Sequence, residues 1–160
     1  MSPYGRFYIS LDSSLCQIKD CDGSSLTTLK IEIQFQKLMD AQELIRRYNA
    51  GQRYFPAAQL NGVKLIAAYL PGINLWGADL SRANLAQAKL WGADLSQANL
   101  AQANLTRANL SGVKLKEANL RGAKLNLVKC YGADFTGACY DDSTRFSRGF
   151  DPQSQNMRKF

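Results

Sequence analysis

Four cysteines and a closely spaced pair of aspartates are the first side chains to consider for chemistry or metal binding. The 160 residues include four cysteines, Cys16, Cys21, Cys130 and Cys139, and no histidine. Cys16 and Cys21 have no second cysteine pair at metal-binding spacing, so the pattern disfavours a zinc site. Without histidine there is no His general base, no Ser-His or Cys-His nucleophilic pair and no His-containing zinc site. The sequence therefore predicts that the protein is not an enzyme.

Asp20 and Asp22 have the spacing of the first two ligands of a calcium-binding loop. Such a loop also needs a glycine and a terminal glutamate, and Ser25 and Ile31 stand at those positions. The chain also lacks the GxxxxGK[ST] and GxGxxG motifs that bind phosphates and dinucleotides. We therefore expect neither a metal ion nor a cofactor.

Composition and charge describe a chain that can bury a core and that carries a basic surface. Hydrophobic residues make up 46% and charged residues 21%, and 20 Lys and Arg exceed 13 Asp and Glu, for a net charge of +7. No stretch approaches about 18 uninterrupted apolar residues, and Met1 is followed by no apolar signal segment. We expect a cytoplasmic protein with reduced cysteines, no membrane association and a preference for acidic partners.

The chain repeats itself every five residues from Leu60 onward. Leucine occupies every fifth position up to Leu125, and Cys130, Phe135 and Tyr140 continue the series to 17 centres. Two residues before each centre stands alanine in 13 of the 17 units, and the position between the two is Asn six times, Asp three times and Lys five times. The repeating unit is A-(N/D/K)-L-x-x.

A five-residue period fits neither an α-helix nor a flat strand. On a helix the leucines would drift around every side, and on a strand they would alternate between the two faces. Alanine and leucine share an inward face when each unit is a short extended stretch followed by a turn. Four such units close one square coil, and stacked coils bury a continuous leucine column. The pattern predicts an all-β solenoid with four sides.

The repeats resemble those of the pentapeptide repeat family, whose pattern is A(D/N)LXX. Seven units match that pattern directly: 78–80, 83–85, 93–95, 98–100, 103–105, 108–110 and 118–120. The resemblance covers about residues 53–142 and implies the family's right-handed quadrilateral β-helix, here with about four coils. The flanking sequences are similar to those of small cyanobacterial members. The resemblance also implies that some members regulate through protein contacts, including development control in filamentous cyanobacteria.

The ends of the solenoid need covers, because terminal leucines cannot remain open to water. Asp40 and Glu43 form a capping box, and Gly51 is a good helix stop, so we predict a short helix at about 41–49 over the first coil. Phe146 and Phe150 are available to close the last coil, and residues beyond Pro152 are expected to form a loose tail. The predicted segments are 1–38 (N-terminal extension), 39–52 (capping helix), 53–142 (repeats) and 143–160 (C-terminal cap and tail).

The N-terminal extension has two interpretations of equal standing. Leu29, Ile31, Ile33 and Phe35 alternate with polar residues as in a half-buried strand, and Asp22-Gly23 offers a turn, which together favour a β-hairpin. Alternatively, the segment is a poorly ordered extension upstream of Met39.

Exposed aromatic residues are candidate partner contacts. Trp76 and Trp91 come directly after a centre and should point outward, and Tyr131 lies two coils after Trp91 in the same column. Exposed aromatics are enriched at interfaces. Packing against the cap explains Trp76 equally well, so Trp91 is the preferred candidate.

Glycines recur at one position of successive coils. Gly72, Gly92, Gly112 and Gly132 form this column. Glycine adopts positive φ without steric cost, so the column indicates tight turns of that kind.

Basic residues are the second set of candidates. Lys64 and Lys124 lie on one side with Arg107, whereas Lys89 and Lys129 lie on the next. Several cations gather in the later coils: Lys114, Lys116, Arg121, Lys124 and Lys129. They could hold an acidic protein surface or nucleic acid phosphates. A solvated face is the favoured alternative, since aromatic residues are not regularly interleaved with the lysines.

Two cysteines fall within the repeats. Cys130 replaces a core leucine and is expected to act as a small buried hydrophobe. Cys139 occupies an outward position, where a thiol could react.

These observations favour a non-enzymatic module that presents the outer faces of a rigid β-helix to a protein partner. The first candidates for the contact are Trp91, Tyr131 and Trp76. A nucleic-acid-binding protein is the alternative, and end-to-end oligomers remain open. The resemblance also brings in acidic members of the family, which resemble duplex DNA and bind gyrase. Residues 53–140 hold ten Lys and Arg against four Asp and Glu, a net charge of +6 with the wrong sign for that role.

Overall fold

A computed structural model describes residues 39–160. Its regular elements are helix α1 (Ala41–Asn49) and four two-residue strands, β1 (Lys124–Leu125), β2 (Cys139–Tyr140), β3 (Arg145–Phe146) and β4 (Arg158–Lys159). The predictions for Cys16, Cys21, Asp20, Asp22 and the whole of 1–38 lie outside the described residues. Within 39–160, no helix is long and apolar enough to cross a membrane.

Helix α1 begins after Asp40, and only the Asp40 half of the predicted capping box forms, because the Glu43 side chain bonds to Arg46 and Arg47 and not to the Asp40 N–H. The Asp40 Oδ1 atom accepts a hydrogen bond from the Glu43 N–H at 2.8 Å, which satisfies one of the free donors of the first turn. Glu43 in turn binds Arg46 through two hydrogen bonds of 2.8 and 2.9 Å. Leu44 and Tyr48 are the buried side chains of α1.

The repeats wind into stacked coils. A parallel bridge joins the middle residue of each unit to the middle residue four units later, from the pair Tyr54–Asn74 to the pair Asn119–Cys139. The coil of four units predicted from the five-residue period is therefore observed. The leucine centres from Leu60 to Leu125 are at most 1% exposed, which confirms that they fill the axis.

The corners of the coils are tight turns that share one backbone conformation. At most of them the N–H three residues after a leucine donates to that leucine's carbonyl, as Ala83 does to Leu80 at 3.0 Å. At the Leu125 corner the Val128 N–H instead donates to the Ser147 hydroxyl at 3.2 Å. The second residue of each turn has positive φ at all 17 corners between 57 and 137, with values from 52° to 72°. The prediction for the glycine column of Gly72 is thus confirmed. Nine of the 17 corners nevertheless use a residue other than glycine.

The polar residue between alanine and leucine hydrogen-bonds to the turn that follows it. Asp79 Oδ1 accepts from the Ser81 N–H at 3.0 Å, and other Asn and Asp units repeat this bond. Amide side chains also bond from coil to coil, as Asn99 Nδ2 does to Asp79 Oδ1 at 3.1 Å. These bonds explain why Asn and Asp recur at this position.

The last coils depart from the regular register of the bridges. Strand β1 pairs in parallel with β3, and Lys124 lies opposite Arg145, one position beyond the regular register. Strand β2 pairs in parallel with β4, and Cys139 lies opposite Arg158, one position short of it. Phe146 and Phe150 stack at 4.9 Å between ring centroids and pack against the core.

The prediction of a loose tail beyond Pro152 is wrong. Met157 is buried, and the N–H groups of Arg158 and Phe160 donate to the carbonyls of Ala138 and Tyr140 at 2.8 and 2.9 Å. These bonds satisfy backbone groups of the last coil. Sequence reasoning missed them because the segment lies outside the repeat.

Candidate partner-binding site

The bridges between coils sort the outward side chains into four faces, which we number 1 to 4 along the chain. Each face consists of middle residues joined by these bridges. Face 1 contains Gln59, Asp79, Asn99, Asn119 and Cys139. Face 2 contains Lys64, Asn84, Asn104 and Lys124. Face 3 contains Tyr69, Lys89, Asn109 and Lys129. Face 4 contains Tyr54, Asn74, Asp94, Lys114 and Asp134.

The three aromatic candidates lie at two different corners. Trp91 and Tyr131 belong to the corner between faces 3 and 4, where their carbonyls accept hydrogen bonds from Gly72 and Gly112 at 3.0 and 2.9 Å. Trp76 belongs to the corner between faces 4 and 1. Trp91 and Trp76 are each 45% exposed, and Tyr131 is 91% exposed.

Sequence reasoning missed two further exposed aromatics. Tyr54 on face 4 and Tyr69 on face 3 are both 64% exposed. They stand at the middle position, where most other units have Asn, Asp or Lys, and that departure is the signal that could have revealed them. Both lie in the first coil.

Three of the five basic candidates lie beside a carboxylate or an amide oxygen of the solenoid itself. Lys114 on face 4 has its Nζ 3.9 Å from Asp94, and Lys116 has its Nζ 3.3 Å from Asp134. The Arg121 Nε donates to the Asn119 Oδ1 atom at 3.0 Å. Lys124 lies on face 2 and Lys129 on face 3. The five cations are close along the chain, but the structure does not bring them onto one surface.

Within residues 53–140, acidic residues are confined to one half of the solenoid. Within 53–140 they occupy faces 1 and 4 and the corner between them: Asp79, Asp94, Glu117 and Asp134. Faces 2 and 3 and the corner between them carry none over the same residues, and their cations are all exposed: Lys64, Lys89, Arg107, Lys124 and Lys129. The structure thus separates a mixed-charge half from a purely basic half.

Leu127 is an exposed apolar residue in the basic half. It occupies the corner between faces 2 and 3, is 63% exposed and has a φ of 57°. The other corner residues with positive φ in this region are small or polar, so Leu127 was recognisable as the one large apolar side chain in the second corner position of residues 57–137. Sequence reasoning did not single it out.

Two aspartates of the repeats have a lowered pKa because they accept hydrogen bonds. Burial raises the pKa of Asp79, but hydrogen bonds from Ser81, Asn61 and Asn99 outweigh it and leave the pKa below its usual value. Hydrogen bonds from Thr136, assisted by Lys116, lower the pKa of Asp134 despite some desolvation. These carboxylates are held in the charged form that accepts hydrogen bonds at the turns.

The two cysteines of the repeats do not form a pair. Burial raises the pKa of the Cys130 thiol, which keeps it protonated and weakly nucleophilic. Cys130 is half-buried against the core, so the expected buried position is only partly reached. Cys139 lies on face 1 and is also half-buried, with its Sγ 3.9 Å from the Gly137 carbonyl.

A shallow groove of about 530 Å³ runs along the corner between faces 1 and 2. Residues of three successive corners line it: Asn61, Gly62, Ser81, Arg82, Ala101 and Gln102. Arg82 is the charged residue of this lining, and its Nε donates to Gln102 at 3.2 Å. The groove offers no cluster of groups suited to acid–base chemistry.

A leucine-filled square coil with stacked polar columns outside defines a quadrilateral β-helix built from five-residue units. The chain belongs to the pentapeptide repeat family, since the profile for pentapeptide repeats matches residues 58–90, 78–116 and 103–139, with eight copies. Proteins of this family are non-enzymatic repeat proteins that fold as right-handed quadrilateral β-helices, and some of them interact with partners.

Solved structures of this family are similar to the chain. A pentapeptide repeat protein of Nostoc Pcc 7120 is 32% identical with a TM-score of 0.66, and the match covers 78% of this chain and 100% of that one. A protein of the Arabidopsis thaliana thylakoid lumen is 30% identical over 66% of this chain and 74% of its own, with a TM-score of 0.47. A protein of the cyanobacterium Cyanothece 51142 is 39% identical over 52% and 64%, with a TM-score of 0.39. No curated protein sequence matches the chain.

Proposed function

We propose that this protein is a binding module that regulates a protein partner by presenting the outer faces of a rigid β-helix, without catalysing a reaction. One observation carries the proposal: the corner between faces 3 and 4 exposes Trp91 and Tyr131 on a frame whose leucine centres, from Leu60 to Leu125, are already buried. Large aromatic side chains lose little conformational entropy on binding and dominate the energetics of many interfaces.

The frame suits recognition because its outer positions are held in fixed register. Backbone hydrogen bonds of 2.6 to 3.0 Å join each coil to the next, for example Leu100 N–H to Asn119 and Leu110 N–H to Lys129. A partner that binds this surface orders few groups of the solenoid, so little conformational entropy is lost. Lys129 on face 3 adds positive charge beside the aromatic corner, and Lys124 on face 2 extends that charge around the next corner. This charge favours an acidic partner surface.

The remaining candidates are less suited to that role. Lys114 and Lys116 lie beside Asp94 and Asp134, and Arg121 beside Asn119, so binding would have to disrupt these contacts. Trp76 lies at a different corner from Trp91. We assign the partner contact to Trp91, Tyr131, Lys124 and Lys129.

We further propose that α1 caps the first of about four coils, and that 143–160 caps the last. The Tyr48 hydroxyl donates to the Pro71 carbonyl at 2.7 Å, and the Arg53 guanidinium lies 3.8 Å from the centroid of the Tyr48 ring. These contacts support a cap that seals the leucine column and leaves the side walls for binding in the cytoplasm. On this division the repeats span 53–142.

Affinity capture from a cyanobacterial lysate tests the function. We expect the full-length protein to retain one or more partners that the W91A/Y131A variant loses, while W76A retains them as the matched control. If all three proteins retrieve the same set, the aromatic corner is not the contact.

Nucleic acid binding is the second candidate, and the absence of acids from faces 2 and 3 within 53–140 favours it. Affinity for duplex DNA would then fall steeply with salt concentration. A protection or inhibition effect in a gyrase supercoiling assay would instead support DNA mimicry, against which the net charge of +6 over residues 53–140 argues.

A further inference from the structure

Leu127 occupies a backbone position that disfavours it. Its φ of 57° lies in the left-handed region, where a side chain is strained and glycine is favoured. Eight of the 17 equivalent corners use glycine, and the residue at the same corner two coils earlier is Gln87. With 63% of its surface exposed, Leu127 also contributes little to the core. Folding therefore gives no reason for a leucine here.

Cations flank Leu127 on both sides along the chain and in the neighbouring coils. Lys124 precedes it on face 2 and Lys129 follows it on face 3. Arg107 occupies the same corner one coil earlier, where its N–H donates to the Asn126 carbonyl at 2.9 Å. Arg145 of β3 lies opposite Lys124 of β1 in the next coil. Since neighbouring coils are spaced by about 4.8 Å, all four residues have their backbones within one coil of Leu127.

Nothing in the described part of the chain neutralises these charges. None of Arg107, Lys124, Lys129 and Arg145 forms an ion pair with a residue of 39–160. Within 53–140, the acidic residues lie on faces 1 and 4 and at the corner between them, and Asp142, close to Arg145 in the chain, pairs with Lys159. The set of Leu127, Arg107, Lys124, Lys129 and Arg145, hereafter the Leu127 patch, is thus an apolar side chain within a positive rim.

We propose that the Leu127 patch is the docking site for an acidic protein segment that packs an apolar side chain against Leu127. The proposal deepens the proposed function and rests on it. Charge complementarity identifies the occupant, because carboxylates satisfy the rim while an apolar group covers the leucine. A nucleic acid would use the rim equally well, but an aliphatic side chain offers no plane on which a base can stack.

Fluorescence anisotropy tests the proposal with a labelled synthetic peptide rich in Asp and Glu and containing a central pair of leucines. We expect L127G to weaken binding by at least about tenfold, since a buried leucine contributes about that factor. Gln87→Gly, at the same corner and with the same sign of φ, should leave affinity unchanged. A peptide with serines in place of the leucines should bind equally to the full-length protein and to L127G.

Charge-reversal variants test the contribution of the positive rim in the same binding assay. K124E/K129E should weaken peptide binding by more than about tenfold at low salt, whereas K114E/K116E, with the same change in net charge, should not. Equal loss in both variants, no effect of L127G, or tighter binding of a single-stranded or duplex DNA of matched charge would each overturn the proposal.

The proposal and the proposed function fail in different experiments. Loss of partners in W91A/Y131A together with an unchanged peptide affinity in L127G would retain a protein-binding module and reject the Leu127 patch. Capture that is unaffected by W91A/Y131A rejects the aromatic contact, whatever the peptide measurement gives.

Discussion

The Asp141 carboxylate takes the place of a backbone carbonyl for Gly122. The Gly122 N–H donates to Asp141 Oδ1 at 3.0 Å, whereas the corresponding N–H of Gly62 donates to the Ser81 carbonyl at 2.8 Å. The substitution occurs where the register between coils shifts by one position. Thr144 completes the arrangement, since its buried hydroxyl donates to the Leu120 carbonyl at 3.1 Å. A side-chain network therefore bridges the extra residue.

Asp141 should make the end of the solenoid sensitive to acid. Hydrogen bonds, first from Ser143 and then from Gly122 and Thr144, lower the pKa of Asp141 from 3.8 to about 2 despite some desolvation. A carboxyl whose pKa is lower in the folded state stabilises fully above pH 3.8, and this contribution is lost as the pH falls through about 2. We expect D141N to melt below the unsubstituted protein at pH 5 and the difference to shrink towards pH 2. Thermal melting followed by circular dichroism across this range measures it.

Two comparisons separate the effect of Asp141 on pH-dependent melting from the effects of other carboxylates. Glu43 also has a pKa lowered to about 2, first by its hydrogen bond to Arg46 and then by Arg47, so the D141N variant retains that part of the acid dependence. Asp142 is 87% exposed and pairs with Lys159, and exposed pairs contribute little, so D142N should change the melting temperature only slightly. A pH-independent difference for D141N would contradict the assignment.

Leu100→Lys should unfold the middle of the solenoid. Leu100 is 0% exposed, so the ammonium group would lie in the leucine column without a partner, and we expect a loss of at least about 3 kcal/mol in the free energy of unfolding. Gln102→Lys, two residues away on the surface, loses only the hydrogen bond from Arg82 and should change stability by less than about 1 kcal/mol. Urea denaturation separates the two, and equal effects would contradict the inward placement of Leu100.

Glycine should stabilise a corner that now has a side chain. Gln87 has a φ of 61° and is exposed, and its N–H donates to the Thr106 carbonyl at 2.9 Å. Gln87→Gly keeps that bond and relieves strain, so the free energy of unfolding should rise by about 0.5–1 kcal/mol. Gln87→Val should lower it, because a β-branched residue tolerates positive φ poorly. Ala86→Gly, outside the positive-φ position, is the control and should destabilise.

Asn99→Ala should weaken the contacts between coils on face 1. Asn99 accepts hydrogen bonds from the Ala101 N–H and the Asn119 amide at 3.2 and 3.1 Å, and donates to Asp79 at 3.1 Å. Losing this set should cost about 1–3 kcal/mol of unfolding free energy. Lys89→Ala changes the equivalent exposed position on face 3 and should stay within about 0.5 kcal/mol. Thermal denaturation of both variants measures the difference. Equal losses of unfolding free energy would show that the amide hydrogen bonds contribute nothing.

The five-residue rhythm was sufficient to predict the core and the coil, because burial of the leucine centres repeats without exception from Leu60 to Leu125. It also predicted the turn at Gly72, but not the same turn at Gln87, since only glycine signals a positive φ in the sequence. The pairing of β4 with β2 escaped prediction because Arg158 and Lys159 carry no periodic signal. The two charge halves follow from counting four units at a time, and so does the neighbourhood of Asp94 and Lys114, whereas only the structure showed that Lys116 reaches Asp134 from the adjoining corner.

The corners share one backbone conformation, but their side chains differ in chemistry. Gln87, Arg107, Glu117 and Leu127 adopt nearly the same backbone, with φ between 57° and 61°. Their side chains are amide, cationic, anionic and aliphatic, so a substitution at such a corner changes the surface chemistry without changing the path of the coil. Such a scaffold can diverge in specificity one corner at a time, and new ligand preferences can be engineered into it along the same route.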